Sequence, residues 1–364
     1  MKAALLQEFN GRVEIVDDVE VATPIGREVL VEVRAVGLCH SDLHCAENDF
    51  GRPLPAVLGH EFSGVVKEVG PAVTEFSVGD RVVGSLLQHC ANCSACVAGR
   101  SFQCTNRAIA SRTPDQGFRL SRHGESVYTY FNCAAFAEFS LVHESQLARI
   151  PEEMPFPQAA LLGCGTITGA GAAINTAEVR PGDSVAVIGV GGVGLNVLSG
   201  ARIAGASRLI AVDVQASKLE LARKFGATNI VNASETDPVK AVRELVEGGV
   251  DHSFEVVGTG PTTVQAIEIA RNGGAAYLVG VHKPGTSINF NAHTNLISPQ
   301  KRLQGVYMGS SNIKHDIPMY ADLYLQGQLN LDDLISCEIN LSQLNDAFDD
   351  LRKGSIARAV VTSF

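Results

Sequence analysis

The sequence has no basic block: Lys and Arg never stand more than two together, and 29 of them face 39 Asp and Glu for a net charge of −10. Nucleic-acid and anionic-membrane binders carry basic patches, so both partners are excluded and small molecules are favoured. Also missing is any stretch of about 18 apolar residues that could span a bilayer. The N-terminus, MKAALLQEFNGRVEIVDD, lacks the sustained apolar core of a signal peptide, and a cytoplasmic protein is expected. Low-complexity tracts and internal repeats are absent too. What is present, 45% hydrophobic and 19% charged residues with 36 glycines spread through apolar runs, is the profile of a globular enzyme. A chain of 364 residues predicts about two domains.

Residues 1–150 read as short β segments, such as Val29–Arg34 and Gly64–Val69, broken by Gly, Pro and Asp. The texture changes near Pro181-Gly182-Asp183. Beyond it, strand candidates (Ser184–Ile188, Arg208–Val212, His252–Val256, Ala275–Val279) alternate with helical ones (Val193–Ala204, Ala216–Phe225, Val239–Glu247, Thr262–Arg271). That alternation implies right-handed crossovers and a parallel sheet covered on both faces. After about Tyr307 the pattern weakens, and the tail is expected to return to the first domain.

Nine cysteines in a chain expected to stay in a reducing compartment point to metal rather than disulfides. Cys90, Cys93, Cys96 and Cys104 are spaced x2, x2 and x7, and four thiolates close a tetrahedron around zinc with no open position. A lobe of about residues 88–106 with a structural zinc is therefore expected. A second group is scattered: Cys39-His40-Ser41-Asp42-Leu43-His44, Gly59-His60-Glu61 and Gly163-Cys164-Gly165. One imidazole and two thiolates leave a fourth zinc position free, the arrangement of a catalytic site. Zinc there can lower the pKa of an oxygen ligand from about 16 towards about 7.

The run Ser184–Ile188 leads into Gly189-Val190-Gly191-Gly192-Val193-Gly194 and then a helical pattern. Strand, glycines and helix in this order are the context of a dinucleotide-binding turn. Gly189 permits the turn, Gly191 lets the backbone approach the pyrophosphate, and Gly194 lets helix and strand pack, with Gly192 and Val193 between them. Nineteen residues after Gly194 comes Asp213, whose carboxylate would accept ribose hydroxyls and repel a 2′-phosphate, so NAD is expected over NADP.

Taken together, Cys39-x-Ser41-Asp42-x-His44, Gly59-His60-Glu61, the four-cysteine lobe and Gly163-Cys164-Gly165-x-x-Thr168-Gly169 make the chain resemble the zinc-dependent medium-chain alcohol dehydrogenases over nearly its whole length. The resemblance implies an α/β fold: a mostly β, GroES-like catalytic domain of residues 1–165, completed by 309–364, and a doubly wound parallel Rossmann domain of 166–308, with the active site in the cleft between them. It makes Cys39, His60 and Cys164 ligands of the catalytic zinc, Glu61 an occasional ligand or electrostatic tuner, and Asp42 the partner that fixes the His60 tautomer. Ser41 would take the substrate proton and pass it by way of the coenzyme ribose to His44. Thr168, Lys218, Val257, Val279 and Val281 would contact NAD. His40 stands where many relatives carry an arginine for the pyrophosphate, and Arg358 would bridge Glu61 and the phosphates.

The implied reaction is hydride transfer between an alcohol or aldehyde and NAD(H), with two zinc ions per chain. Phe50, Leu86 and Phe136 are placed around the substrate, and an apolar wall favours a medium-chain or aromatic primary alcohol over a polyol. A rival is a thiol-dependent formaldehyde dehydrogenase, which would bind a hydroxymethyl-thiol adduct through Arg107, Arg112, Arg119 and Arg122. A noncatalytic zinc- and NAD-binding relative is a third reading. A homodimer or homotetramer is expected.

Overall fold

The computed structural model describes residues 1–283 and 285–364. They group into two compact units: Met1–Gly165 with Asn312–Gly327 and Leu334–Phe364, and Thr166–Ser311 with Gln328–Asp333. Among the described residues no helix is long and apolar enough to cross a membrane.

The first unit is built around the strand Glu28–Gly37, whose β-branched residues are buried on both faces. It pairs antiparallel with Phe62–Val69, Phe139–His143 and Arg358–Ser363. Arg358–Ser363 in turn pairs in parallel with Ile335–Asn340, so the C-terminal segment adds two strands to this sheet. A second sheet runs Glu14–Val16, Ala3–Leu6, Ala56–Val57, Glu125–Thr129, Leu120–Arg122 and Glu20–Val21. Leu5, Leu58, Phe62, Val66, Phe136 and Phe348 belong to the apolar core of this unit. Phe136 is 1% exposed and meets Phe348 edge-on at 6.4 Å. It is packed into the core of this unit.

In the second unit six parallel strands lie in the order Asn229–Asn232, Arg208–Asp213, Ser184–Ile188, Val250–Glu255, Ala270–Leu278 and Arg302–Gly305. Numbered along the chain this is 3-2-1-4-5-6, the doubly wound order whose carboxyl-end crevice takes ligands where the order reverses. The helices Gly192–Ile203, Ala216–Lys224, Pro238–Leu245 and Gly260–Ile269 supply the crossovers. The edge strands Asn229–Asn232 and Arg302–Gly305 were not evident in the sequence. Gln328–Asp333, expected with the C-terminal return, joins this unit, held by Arg202 Nη2 to the Gln328 carbonyl (2.5 Å) and Lys224 to Asp333 (2.6 Å).

Candidate metal and coenzyme sites

Three ligand-bearing residues of the first unit converge from distant positions. Cys39 ends the segment after strand Glu28–Gly37 and precedes the helix His40–Glu47; His60 follows a turn; Cys164 lies in a π-helical turn, Leu162–Thr166. Their ligand atoms all lie within 4.8 Å of one another, and all three residues are buried. The turn before His60 depends on Gly59, whose φ is +91° and where a Cβ would come within 2.6 Å of the Phe136 nitrogen.

Asp42 organises this site. Fully buried, it accepts hydrogen bonds from the Cys39 N–H (3.2 Å) and the Gly59 N–H (3.0 Å), and contacts His60 Nδ1 at 2.9 Å. With the Nδ1 proton directed at a carboxylate, the lone pair of His60 sits on Nε2, and that buried atom has no hydrogen-bond partner. An orphaned ring nitrogen beside two thiols is costly unless it has a ligand to bind, and this donor set suits zinc. Burial opposes a charge on His60, but Asp42 outweighs it and raises the ring's pKa above its ordinary value, so a metal bound at Nε2 would displace a proton from it. The bond from Cys164 and the nearby Arg358 charge hold Cys39 well below the usual thiol range.

Glu61 does not join that cluster. Its Oε1 pairs with Arg358 Nε at 3.3 Å and its Oε2 accepts the Gly165 N–H at 3.2 Å, the arrangement of the electrostatic tuner that was one of its two expected roles. Burial pushes the Glu61 carboxyl up to about 7. Arg358 also brings Nη2 to 3.9 Å from Cys39 Sγ.

Ser41 and His44 are half-buried, three positions apart on the helix His40–Glu47, and so share a face; His40 is exposed at its first turn. Phe50 is exposed and Leu86 half-buried. The aromatic ring that reaches the site is one the sequence reading missed: Phe131 meets the His60 ring at 5.1 Å, inclined by 65°. Phe131, Asn132 and Ala134 all have positive φ, 55°, 58° and 54°. Gln88 and Gln146 side-chain amides donate to the Phe131 carbonyl at 2.9 and 3.2 Å and fix this turn. Left-handed backbone at three residues that are not glycine was the unreadable signal.

Cys90, Cys93, Cys96 and Cys104 also gather within 4.8 Å. The Sγ atoms of Cys93 and Cys96 are 3.5 Å apart, and those of Cys93 and Cys104 are 4.0 Å apart. A zinc tetrahedron with bonds of about 2.3 Å has edges of about 3.8 Å, so the cluster fits the ion. The N–H groups of Cys90, Cys93 and Asn106 point at Cys104, Cys90 and Cys104 sulfurs respectively, at 3.3, 3.3 and 3.4 Å.

In the second unit, Gly189 has φ +90° and a Cβ on Gly194 would collide with the Gly189 carbonyl. Gly191 is different: a Cβ there would meet nothing within 4 Å. Neither packing nor φ demands glycine at Gly191, which stands at the N-terminus of helix Gly192–Ile203. Asp213 accepts the N–H of Val190 (3.0 Å) and of Gln215 (3.0 Å), which anchors its carboxylate beside that turn. Lys218, Thr168 and Val279 are half-buried, while Val257 and Val281 are 49% and 61% exposed.

The chain matches two family models, an alcohol dehydrogenase GroES-like domain over residues 26–152 and a zinc-binding dehydrogenase domain over residues 192–326. It is 35% identical over 369 residues to alcohol dehydrogenase class-P of Arabidopsis thaliana, covering 99% of this chain and 97% of that protein. It is 37% identical over 371 residues to an S-(hydroxymethyl)glutathione dehydrogenase of a Synechocystis species, covering 99% of each. The crystal structure of benzyl alcohol dehydrogenase from Acinetobacter calcoaceticus superposes with a TM-score of 0.93 at 34% identity, covering 100% of this chain and 99% of that one. This chain belongs to the zinc-dependent medium-chain alcohol dehydrogenase family. Members of that family are oxidoreductases that use zinc and a nicotinamide cofactor, and the sites described above have the donors for both.

Proposed function

We propose that the chain interconverts a medium-chain or aromatic primary alcohol and its aldehyde with NAD(H), holding one zinc at Cys39, His60 and Cys164 and a second at the four-cysteine lobe. The observation that carries this reading is the partnerless His60 Nε2 beside the two thiols. Zinc bound there supplies a Lewis acid for a substrate oxygen. Asp42 holds the imidazole in the tautomer that offers Nε2, and Arg358 balances the buried charge of Glu61. Ser41 Oγ takes the hydroxyl proton and the His44 ring carries it towards solvent, the relay for which a rotatable hydroxyl and an imidazole are suited. Gly191 and the helix start hold the coenzyme phosphates, and Asp213 accepts the ribose hydroxyls and disfavours a 2′-phosphate.

Preference for an aromatic or apolar alcohol rests on Phe131 against the His60 ring and is supported by the benzyl alcohol dehydrogenase likeness. The thiol-adduct reading draws on the relative named S-(hydroxymethyl)glutathione dehydrogenase. Its four arginines are engaged elsewhere: Arg112 and Arg119 hold Glu28 at 2.6 and 2.8 Å, Arg122 holds Asp18 at 2.8 Å, and Arg107 donates to the Phe102 carbonyl at 2.8 Å. A cytoplasmic homodimer or homotetramer completes the proposal. The test is NAD reduction across a panel of alcohols, with and without formaldehyde plus small thiols. Turnover of benzyl or medium-chain alcohols without thiol is expected; activity confined to the thiol-containing mixtures overturns the substrate assignment.

A further inference from the structure

One residue of the second unit, Glu255, holds two connecting segments at the carboxyl end of the parallel sheet. It ends the strand Val250–Glu255, between Ile188 and Leu278 of the neighbouring strands, and is fully buried. Its main-chain carbonyl accepts the N–H of Val279 (2.8 Å) and Gly280 (3.0 Å) from the segment after the next strand. Its carboxylate Oε1 accepts the N–H of Val257 (2.8 Å), the N–H of Gly258 (2.7 Å) and the hydroxyl of Thr262 (2.8 Å) from the segment after its own strand. Five donors from two segments thus converge on one side chain and its carbonyl.

The two segments touch: a Cβ on Gly280 would come within 2.8 Å of Gly258 Cα, and one on Gly258 within 2.8 Å of the Val281 carbonyl carbon. A Cβ on Gly189, the first glycine of the phosphate turn, would lie 2.6 Å from Val257 Cγ2. Further along, His282 Nε2 and Thr263 Oγ1 are linked at 2.9 Å, tying the second segment to the helix Gly260–Ile269. Val257 and Val281 are nevertheless exposed. Val257 thus presents an exposed apolar side chain beside the glycine turn.

We propose that Glu255 is a positioning residue for the coenzyme, whose carboxylate fixes the Val257 segment, against which the Val281 segment packs, and so sets affinity for the nicotinamide dinucleotide and leaves the alcohol site untouched. The inference rests on the coenzyme reading above. Bonds from N–H to a carboxylate are stronger than neutral ones, and losing them leaves buried backbone donors unpaired. Position matters more than charge here, because Glu255 Oε2 has no hydrogen-bond partner and only Oε1 collects the donors.

The experiment titrates NADH by fluorescence into the native protein, Glu255→Asp and Glu255→Gln, with steady-state KM and kcat for NAD and alcohol, zinc content and Tm for each. Glu255→Asp keeps the charge but withdraws the oxygens by one methylene; it should raise Kd for NADH and KM for NAD about tenfold, the effect of about one such bond. Its kcat at saturating NAD, alcohol KM and zinc content should stay within about threefold of native. Glu255→Gln, which keeps an oxygen in the Oε1 position, should bind NADH within about threefold of native. A native protein that binds NADH with both variants unchanged overturns the role of Glu255 alone. Loss of kcat and zinc together with coenzyme affinity makes the residue merely structural. A native protein that binds no NADH overturns the coenzyme reading with it.

Discussion

The two thiol clusters of the first unit differ in where their ligands come from. The lobe draws four cysteines from fifteen consecutive positions, and three backbone N–H groups in or just after that stretch point at two of its sulfurs, those of Cys90 and Cys104. The other cluster draws Cys39, His60 and Cys164 from three separate elements, and its surroundings are charged side chains: Asp42, Glu61 and Arg358. A local cage needs only its own turns, whereas a dispersed set with three protein donors needs the whole unit to hold it. The first suits a closed, stabilising ion and the second an ion with a place for substrate.

Cysteine substitution breaks this comparison most forcefully. Cys39→Ala should lower zinc from about two to about one per chain and abolish turnover with little change in Tm. Cys93→Ala should also lose about one zinc but chiefly lower Tm, because the lobe loses its organising ion. Metal analysis, activity and melting of both variants check this; equal effects on Tm and turnover would erase the distinction.

Next in size is the proton relay beside the dispersed cluster. Ser41→Ala should lose about 10²–10⁴-fold in kcat while keeping zinc, since general acid–base help is worth that much. His44→Gln should lose less, since solvent can substitute for the last step. Full activity in Ser41→Ala with full zinc would remove the relay, and lost zinc would make the serine structural.

A smaller effect is expected at Asp42, which touches no substrate. Asp42→Asn should weaken metal affinity at Cys39, His60 and Cys164 by about 10–100-fold, the usual cost of losing a ligand's hydrogen-bond partner, and leave the lobe ion in place. Stepwise chelator titration reads the two ions separately. Simultaneous release of both would show that the sites are not independent.

How legible each part was in the sequence follows from the same contrast. Cysteine spacing announces the lobe because its geometry is local. The parallel strands and glycine turn were legible because buried strands are continuous apolar runs; the edge strands Asn229–Asn232 and Arg302–Gly305 are short, polar and partly exposed, so they carry no such signal. The pairing of Arg358 with Glu61 was implied by the family resemblance, not by spacing, because the two residues lie far apart in the chain. Phe131 was missed because the turn at Phe131, Asn132 and Ala134 uses left-handed backbone without glycine. That turn directs Phe131 to His60 while Phe136 fills the core.

The smallest effect on turnover, and one confined to stability, is expected at the clamp on the segment that follows the lobe. Glu28 is 4% exposed and receives Arg112 Nη2 at 2.6 Å, Arg119 Nε at 2.8 Å and the Ile25 N–H at 3.1 Å. Burial raises the Glu28 carboxyl, but Arg112 and Arg119 outweigh it and the net pKa falls below the ordinary 4.5. A folded pKa below the unfolded one means the carboxylate stabilises the fold fully above pH 4.5, and that contribution is lost as pH falls through the lower folded value. Glu28→Gln leaves two buried guanidinium groups without their anion and should cost about 3 kcal/mol, several degrees in Tm, at neutral pH. Zinc content and kcat should hardly change, since Glu28 contacts neither cluster. Melting curves of native and variant protein from pH 7 downwards should show a constant gap until about pH 4.5 and a narrowing one below it. A gap that widens on acidification would mean that Glu28 is held protonated in the fold, and a loss of turnover would tie these arginines to the reaction after all.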